Sequence, residues 1–226
     1  TDVTGVQTCA LPICHRNAFV DKRMKGQLKK IIHVSNNYYN DLQGELSRRI
    51  IENSFPGKVF YCNSGAEANE AAIKLARKSG NPFRNEIITM NKSFHGRTLA
   101  TISATGQDKV KAGLEPLVRG FTHVEFNDLS AVIDAVTDKT LADMLEIIQG
   151  EGGINIADRE YLSGLRKLCD DKGMLLIFDE VQTGMGRTGE IFAFKSLGVT
   201  PDIMTLAKSL GNGMPIGAMV VSEKHA

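Results

Sequence analysis

The stretch Met174-Leu-Leu-Ile-Phe-Asp-Glu-Val-Gln182 decides the fold of this chain. Its five leading apolar residues predict a strand buried on both faces, the kind found inside a parallel sheet. The acid that follows them, Asp179, then lies at the carboxyl edge of the sheet, where open α/β folds bind their ligands. A second short strand at residues 202–206 ends just before Lys208. The sequence therefore predicts that a carboxylate and an amine share one crevice.

This pair of side chains suits one kind of chemistry. An amine that reacts with a carbonyl must lose its proton, so its site has to desolvate it or engage it covalently. A carboxylate facing it across a ring keeps a pyridine nitrogen protonated, because a nearby opposite charge favours the charged form. Pyridoxal phosphate requires both groups. The alternative is that Asp179 caps the next segment and Lys208 is a solvated surface residue.

Composition limits the other possibilities. The 226 residues are 42% hydrophobic with a net charge of +1, which fits one large domain and gives no electrostatic case for nucleic acid or an anionic membrane. We find no apolar run long enough to cross a bilayer and no opening signal sequence. The cysteines at positions 9, 14, 62 and 169 have no metal-ligand spacing. We therefore expect no metal site, reduced thiols and a cytoplasmic location.

The first fourteen residues differ from the rest. Residues 3–13, Val-Thr-Gly-Val-Gln-Thr-Cys-Ala-Leu-Pro-Ile, resemble the translation of a DNA-sequencing adapter. Our hypothesis is that residues 1–14 are a non-native, adapter-like tail and that the domain occupies residues 15–226. A natural disordered tail is the competing interpretation.

Two further segments place polar groups after predicted strands. Residues 58–62 are followed by Asn-Ser-Gly-Ala-Glu and a helix, and a strand, a small-residue turn and a helix N-terminus together make an anion site. Ser64 and Glu67 also have the spacing of a capping box, which explains them structurally without a ligand. Gly65 is not explained by the cap, since glycine in a first helical turn loses backbone entropy for no packing gain.

The predicted strand at residues 86–90 leads into Ser-Phe-His-Gly-Arg-Thr at residues 93–98. Phe94 can stack on a flat cofactor ring, or it can simply pack in the core. Arg97 can bind a substrate carboxylate with its two-pronged guanidinium, or form a surface ion pair. His95 is either a base or a structural hydrogen-bonding residue.

The remaining elements complete an alternating α/β pattern. Glu151 lies in the glycine-rich run Gln-Gly-Glu-Gly-Gly at residues 149–153, which is either a ligand loop or a plain turn. The further predicted strands are residues 123–126, 141–148 and 216–222. The further predicted helices are residues 18–32, 42–53 and 158–171.

The run at residues 184–189 matches G-x-G-x-x-G, the fingerprint of dinucleotide-binding oxidoreductases. That fingerprint should join a strand directly to a helix, whereas here the acid-containing segment comes first and the helix that follows is short. An oxidoreductase therefore remains only a minor alternative.

Five strings in one order carry a resemblance. They are Asn-Ser-Gly-Ala-Glu-Ala from Asn63, Ser-Phe-His-Gly-Arg-Thr from Ser93, Gln-Gly-Glu-Gly-Gly from Gln149, Asp-Glu-Val-Gln-Thr-Gly-Met-Gly-Arg-Thr-Gly from Asp179 and Asp-Ile-Met-Thr-Leu-Ala-Lys from Asp202. The chain from residue 15 onward resembles the class III aminotransferases of fold type I. The resemblance implies the large domain of a pyridoxal-phosphate enzyme, with a mostly parallel seven-stranded sheet flanked by helices.

The resemblance also implies roles for individual residues. Lys208 and Asp179 are the implied catalytic residues, Lys208 as the Schiff-base lysine and proton carrier and Asp179 as the partner of the ring nitrogen. Arg97 and Glu151 are implied to lie at the substrate. The implied cofactor-binding residues are Ser64, Gly65, Ala66, Phe94, Asp179, Glu180, Val181, Gln182 and Lys208.

Two of the strings most resemble the acetylornithine branch, which moves the terminal amino group of N-acetylornithine to 2-oxoglutarate in arginine biosynthesis. Succinylornithine, ornithine, 4-aminobutyrate and aminoadipate-semialdehyde enzymes are the near alternatives. Family members are nearly twice as long, with a C-terminal small domain and a homodimeric active site. We therefore expect the chain alone to bind cofactor poorly and to turn over little or nothing. A truncated, non-enzymatic interaction module is the other alternative.

Overall fold

The computed structural model describes residues 17–35, 37–80 and 82–226. The adapter hypothesis for residues 1–14 falls outside the described residues and stays a prediction. No helix in these ranges is long and apolar enough to cross a membrane.

A sheet of seven strands forms the centre of the described chain. Its strands, with a separate two-stranded hairpin, are β1 (Gly57–Cys62), β2 (Glu86–Met90), β3 (Phe121–Val124), β4 (Thr140–Leu145), β5 (Ile148–Gln149), β6 (Asn155–Ile156), β7 (Leu175–Asp179), β8 (Ile203–Leu206) and β9 (Gly217–Ser222), of which β5 and β6 make the hairpin. The order across the large sheet is β1-β9-β8-β7-β4-β2-β3. Only β9 runs against the others, because it pairs antiparallel with both β1 and β8. The predicted α/β fold with a mostly parallel seven-stranded sheet is thus confirmed.

Helices cover both faces of this sheet. They are α1 (Ala18–Leu28), α2 (Asp41–Asn53), α3 (Gly65–Ser79), α4 (Leu99–Ala104), α5 (Asp108–Lys111), α6 (Leu129–Ala135), α7 (Arg159–Lys172) and α8 (Phe194–Leu197), with single turns of 3₁₀ helix at Lys208–Leu210 and Glu223–His225. The helix α7 ends at Gly173, whose φ of 59° lies in the left-handed region that favours glycine. The chain then enters β7 directly.

The central strand β7 contributes to two hydrophobic clusters. Leu176 and Phe178 pack in one cluster with α7, while Leu175 and Ile177 pack in the other with α3. Side chains alternate between the two faces of a strand, so a strand covered on both faces must be apolar throughout. The uninterrupted apolar run in the sequence has this cause, and it places Asp179 where the strand leaves the core.

Several predicted boundaries were wrong. The strand predicted at residues 123–126 lies two residues earlier, at Phe121–Val124. The strand predicted at residues 141–148 ends at Leu145, because the chain turns there into the small hairpin of β5 and β6. The helix predicted at residues 18–32 ends at Leu28 and has no buried residue. The apolar spacing that predicted this helix therefore corresponds to no buried face of α1 among the described residues.

Asp143 is an acidic residue buried among apolar side chains. It lies in β4 between Ile88 and Leu176 of the neighbouring strands, fully buried, and neither carboxyl oxygen has a hydrogen-bond partner among the described residues. Burial raises its pKa to about 8. A buried carboxyl group without a partner stays protonated rather than ionise in the core.

We predict that Asp143→Leu stabilises the protein, and that the gain grows with pH. The pKa of Asp143 rises from an ordinary 3.8 to about 8 on folding, so in this window the unfolded chain releases a proton that the folded chain keeps. Stability therefore falls by about 1.4 kcal/mol for each pH unit across the window. Urea unfolding at pH 5 and pH 8 should show the larger gain at pH 8. An equal gain at both pH values would contradict the prediction.

Candidate active site

A cavity of about 680 Å³ opens where β7 and β8 end, beside the N-terminus of α3. The predicted site residues that line it are Ser64, Gly65, Ala66, Phe94, Arg97, Asp179, Val181, Gln182 and Lys208. They come from segments that span residues 64 to 208 of the sequence, and the sheet brings their ends to one edge. This is the edge at which parallel α/β sheets bind ligands.

The N-terminus of α3 forms one wall of the cavity. The Ser64 hydroxyl accepts a hydrogen bond from the Glu67 N–H at 3.2 Å, as a capping box requires. The reciprocal bond differs from the prediction, because Glu67 accepts the N–H of Asn63 at 2.9 Å rather than that of Ser64. The first N–H groups of a helix have no partner within the helix, so this end of α3 is suited to an anion.

Gly65 is explained by a close approach. A Cβ added there would lie 2.9 Å from Cγ1 of Val181 and 3.4 Å from Cβ of Ala207. Val181 and Ala207 follow the ends of β7 and β8. Only glycine therefore lets the first turn of α3 pack against the segments that hold Asp179 and Lys208.

Asp179 is buried and held by several hydrogen bonds. Its Oδ1 accepts the N–H of Val181 at 3.0 Å. Its Oδ2 lies 2.8 Å from Nδ2 of Asn69 and 2.8 Å from Nδ1 of His95. The Thr205 hydroxyl in turn donates to Oδ1 of Asn69 at 2.7 Å. These contacts orient the carboxylate of Asp179, a residue that is 3% exposed and lines the cavity.

The sequence patterns did not identify Asn69 and Thr205 as site residues. Asn69 follows Gly65 by one helical turn, and Thr205 is a polar residue in an apolar strand directly opposite Asp179 in the β7–β8 register. A polar residue at such a buried position was the available signal. The sequence analysis named His95 as either a base or a structural hydrogen-bonding residue, but did not name its partner. In the structure, the His95 side chain bonds to Asp179.

Lys208 begins just past β8 in a left-handed backbone conformation, with φ of 46°. Such a conformation is uncommon for a non-glycine residue and is often found at functional sites. Its side chain lines the cavity and is still partly open to solvent. Burial lowers the pKa of Lys208, while the charges of Asp179, Glu151 and Glu146 oppose that shift. The amine is therefore easier to deprotonate than that of an ordinary lysine.

Phe94 and Arg97 lie together at the cavity wall. The Arg97 guanidinium lies 5.7 Å from the centroid of the Phe94 ring, within the range of a cation–π contact. Phe94 is only partly buried, so it does not have the core position of the alternative interpretation. Arg97 is exposed and has no ion-pair partner among the described residues, so its guanidinium is available to a ligand.

Glu146 is a second buried acid near this loop. One of its oxygens accepts the N–H of Phe94 at 2.9 Å, and the other has no partner in the described part of the chain. Burial raises the pKa of Glu146 to about 7. Burial alone would lower the pKa of His95, yet the hydrogen bond and charge of Asp179, with the charge of Glu146, raise it. The sequence patterns did not identify Glu146.

Two predicted site residues do not line the cavity. Glu180 is buried with its carboxylate on the other side, where it accepts the N–H groups of Ala193 at 2.9 Å and Phe194 at 2.8 Å. The prediction that Glu180 binds the cofactor therefore finds no support in its side chain, because consecutive residues at a strand end point to opposite faces. Glu151 is exposed, although its charge acts on Lys208.

The G-x-G-x-x-G run at residues 184–189 does not open a helix. It forms turns, with the N–H of Gly186 bonded to the carbonyl of Ile191, and the next helix is the four-residue α8. The geometry of a dinucleotide fingerprint is absent from this described segment.

The residues present fit pyridoxal phosphate. The cavity offers an amine with a lowered pKa, a fixed carboxylate, a helix N-terminus for a phosphate and an aromatic face. Gln182 adds a buried amide nitrogen, Nε2, that has no hydrogen-bond partner among the described residues. A ring oxygen acceptor at this position would satisfy it.

Comparisons with known proteins agree with this geometry. The sequence profile of the family described as aminotransferase class-III matches residues 2–226. An acetylornithine aminotransferase of Caldanaerobacter subterraneus subsp. tengcongensis is 53% identical over 99% of this chain and 58% of the relative. Another, of Myxococcus xanthus, is 52% identical over 98% of this chain and 56% of the relative.

Solved structures agree as well. An ornithine aminotransferase of Toxoplasma gondii has a TM-score of 0.86 at 33% identity, covering 92% of this chain and 51% of its own. An N-acetylornithine aminotransferase of Stenotrophomonas maltophilia has a TM-score of 0.79 at 39% identity, covering 93% of this chain and 54% of its own. The chain thus spans little more than half the length of the relatives it matches. It belongs to the class III aminotransferases, a family that depends on pyridoxal phosphate.

Proposed function

We propose that this chain carries the cofactor-binding part of an aminotransferase that moves the terminal amino group of N-acetylornithine to 2-oxoglutarate. The products are N-acetylglutamate semialdehyde and glutamate, within arginine biosynthesis. The observation that carries the proposal is that the Lys208 amine, the Asp179 carboxylate and the N-terminus of α3 face one cavity. The choice of donor is supported by relatives named acetylornithine aminotransferase at 53% and 52% identity.

The cofactor would be held by backbone and side chains already in place. The N–H groups at Ser64, Gly65 and Ala66 would bind the phosphate, because they lie at the N-terminus of α3. Phe94 and Val181 would pack on the ring faces. Bound pyridoxal phosphate would supply the electron-withdrawing ring on which amino-group transfer depends.

Lys208 would act through its Nζ atom. Because partial burial lowers the pKa of this amine, Lys208 loses its proton more readily than an ordinary lysine. A neutral Nζ would hold the cofactor through its aldehyde group, and when free of that group it would take a proton from a substrate carbon and return it elsewhere. The same residue would therefore hold the cofactor and carry the proton.

Asp179 and Gln182 would orient the ring. The Asp179 carboxylate is fixed by Val181, Asn69 and His95, so it can receive a hydrogen bond from a protonated ring nitrogen without rearranging. The unpartnered Nε2 of Gln182 would donate to an oxygen on the ring. Glu180 would contribute through its backbone and through capping α8.

The substrate would meet charged groups at the cavity mouth. Arg97 would bind a substrate carboxylate, since its guanidinium is exposed and, among the described residues, contacts the Phe94 ring without an ion-pair partner. Glu151 is near enough for its charge to act on Lys208. We propose that Glu151 lies beside the bound substrate, where its charge acts on the charged groups of the two substrates. We also propose a homodimeric, cytoplasmic enzyme; the free thiols of Cys62 and Cys169 are consistent with that location.

The central test uses an extended hybrid, in which residues 17–226 are followed by the remaining carboxy-terminal segment of the Caldanaerobacter relative. We predict that pyridoxal phosphate gives the hybrid a visible absorbance band that borohydride fixes. The hybrid should also convert N-acetylornithine and 2-oxoglutarate. Lys208→Ala should abolish the band and lower turnover at least about a hundredfold, because it removes the proton carrier. The 226-residue chain alone should give a weaker band and little or no turnover.

Controls separate the alternatives. Parallel assays with ornithine, succinylornithine and 4-aminobutyrate rank the donors by kcat/KM, and a higher value for any of them would replace the proposed substrate. A band that persists in Lys208→Ala would refute the site. Binding of NAD in place of pyridoxal phosphate would favour an oxidoreductase, and binding of neither by the folded hybrid would favour an interaction module.

A second prediction concerns the phosphate end of the site. Gly65→Ala should weaken pyridoxal phosphate binding, and should destabilise the protein by about 1–3 kcal/mol, because the new methyl group overpacks against Val181. Gly44→Ala near the start of α2 is the matched control, since nothing lies within 4 Å of its Cβ position. That change should stabilise the protein by about 0.5–1 kcal/mol and leave cofactor affinity unchanged. Titration by absorbance and urea unfolding measure both effects; unchanged affinity in Gly65→Ala would show that the close packing does not matter.

A further inference from the structure

The amide of Asn69 makes three hydrogen bonds within the buried floor of the cavity. Its Nδ2 donates to the backbone oxygen of His95 at 2.7 Å and to Oδ2 of Asp179 at 2.8 Å. Its Oδ1 accepts the hydroxyl of Thr205 at 2.7 Å. Asn69, Asp179 and Thr205 are each no more than 3% exposed. The network is therefore shielded from water. In such a buried environment a hydrogen bond is stronger, and leaving a polar group without its partner is costly.

This pattern admits one orientation of the amide. Both acceptors of Nδ2 are oxygen atoms that have no proton to give, namely a backbone carbonyl and a carboxylate. Rotating the amide by half a turn would place its own oxygen against them and its nitrogen against the hydroxyl. The donor that faces Asp179 is therefore fixed by contacts on either side of it.

His95 is held less firmly than Asn69. The side chain of His95 bonds to Asp179 through Nδ1, and its Nε2 has no partner in the described part of the chain. The orientation of this ring thus depends on Asp179. Asn69 is instead anchored independently of Asp179, through the His95 backbone and through Thr205. Of the two side chains that contact Oδ2, Asn69 is the one that can orient the carboxylate.

Asn69 also connects the parts of the chain that would hold the cofactor. It lies in α3 one turn after Gly65, it bonds to the residue after Phe94, and its partner Thr205 precedes Lys208 by three residues. A single amide thus links the phosphate end, the loop of the ring-stacking residue and the strand that leads to the reactive amine.

We propose that Asn69 is a positioning residue that aims the Asp179 carboxylate at the ring nitrogen of the cofactor and sets its place relative to α3 and Lys208. This inference rests on the proposed function, because it assigns a task within the same cavity. Asn69 acts through Asp179, so its loss should matter only for ligands whose ring can bond to that carboxylate.

The test compares two ligands in the extended hybrid. One is pyridoxal phosphate, and the other is its carbocyclic analogue, in which C–H replaces the ring nitrogen while the aldehyde and phosphate remain. Asn69→Leu should raise the Kd of pyridoxal phosphate about ten- to a hundredfold, the range expected for losing a hydrogen bond to a charged group. The Kd of the analogue should change far less. A purely structural role would weaken both ligands equally.

Companion variants keep the test decisive if Asn69→Leu folds poorly. Asn69→Asp has the same shape but places a second carboxylate beside Asp179, and it should show the same ligand selectivity with a loss that deepens as pH rises. Thr205→Val removes the anchor of Asn69, together with the longer 3.5 Å contact of the Thr205 hydroxyl with Oδ1 of Asp179. It should give a smaller selective loss, less than additive with Asn69→Leu. Asn91→Leu is the control, because the Asn91 amide bonds to Glu125 and does not line the cavity. Circular dichroism and thermal melts confirm that each variant is folded.

The possible outcomes are distinct. Selective weakening of pyridoxal phosphate supports the inference. Equal weakening of both ligands, or no weakening, overturns it while the proposed function stands. If the unmodified hybrid shows no Lys208-dependent binding of either ligand, the proposed function fails and the inference falls with it.

Discussion

The structure around the cavity depends on keeping one carboxylate, Asp179, in a buried and oriented state. A carboxylate loses its hydration when it is buried, so protein donors must replace the water. Asp179 meets this requirement with a backbone N–H from its own chain segment and with side chains from α3 and the loop after β2. These donors come from three separate elements, so the acid and the packing of the sheet edge stabilise one another.

The sheet makes this arrangement possible. Side chains of β7 pack in a hydrophobic cluster on each face of the sheet. This packing fixes the backbone of β7, and with it the position at which Asp179 leaves the core. The parallel neighbour β8 is in register with it, which sets Thr205 opposite Asp179 and Lys208 just beyond. The absence of a side chain at Gly65 then lets the N-terminus of α3 pack against Val181 at the same edge. An anion site, an acid and an amine are thereby spaced by backbone packing rather than by flexible side chains.

Charge in the cavity floor is unevenly balanced. Glu146, with its pKa raised by burial to about 7, lies near His95, whose pKa is raised by Asp179 and Glu146 against the effect of burial. Such opposing environments are typical of functional sites. Asp143 lies in β4, just before Glu146 in the chain. It has no comparable partner among the described residues, and burial alone raises its pKa. Two buried acids close in sequence thus differ in whether other charged groups act on their pKa.

The sequence by itself determined the alternating α/β order and the central apolar strand, because strand burial and helix starts leave local patterns. The sequence pointed to Ala66, Val181 and Gln182 as cavity residues only through its resemblance to a family. It also predicted Asp179 and Lys208 as a pair, since both follow strands. Tertiary structure alone decided that Asn69, Thr205 and Glu146 belong to the same site, and that the Glu180 carboxylate faces α8 instead. Their roles depend on partners far along the chain, such as Asp179 for Asn69, and a local pattern carries no record of which distant residue a buried polar group will meet.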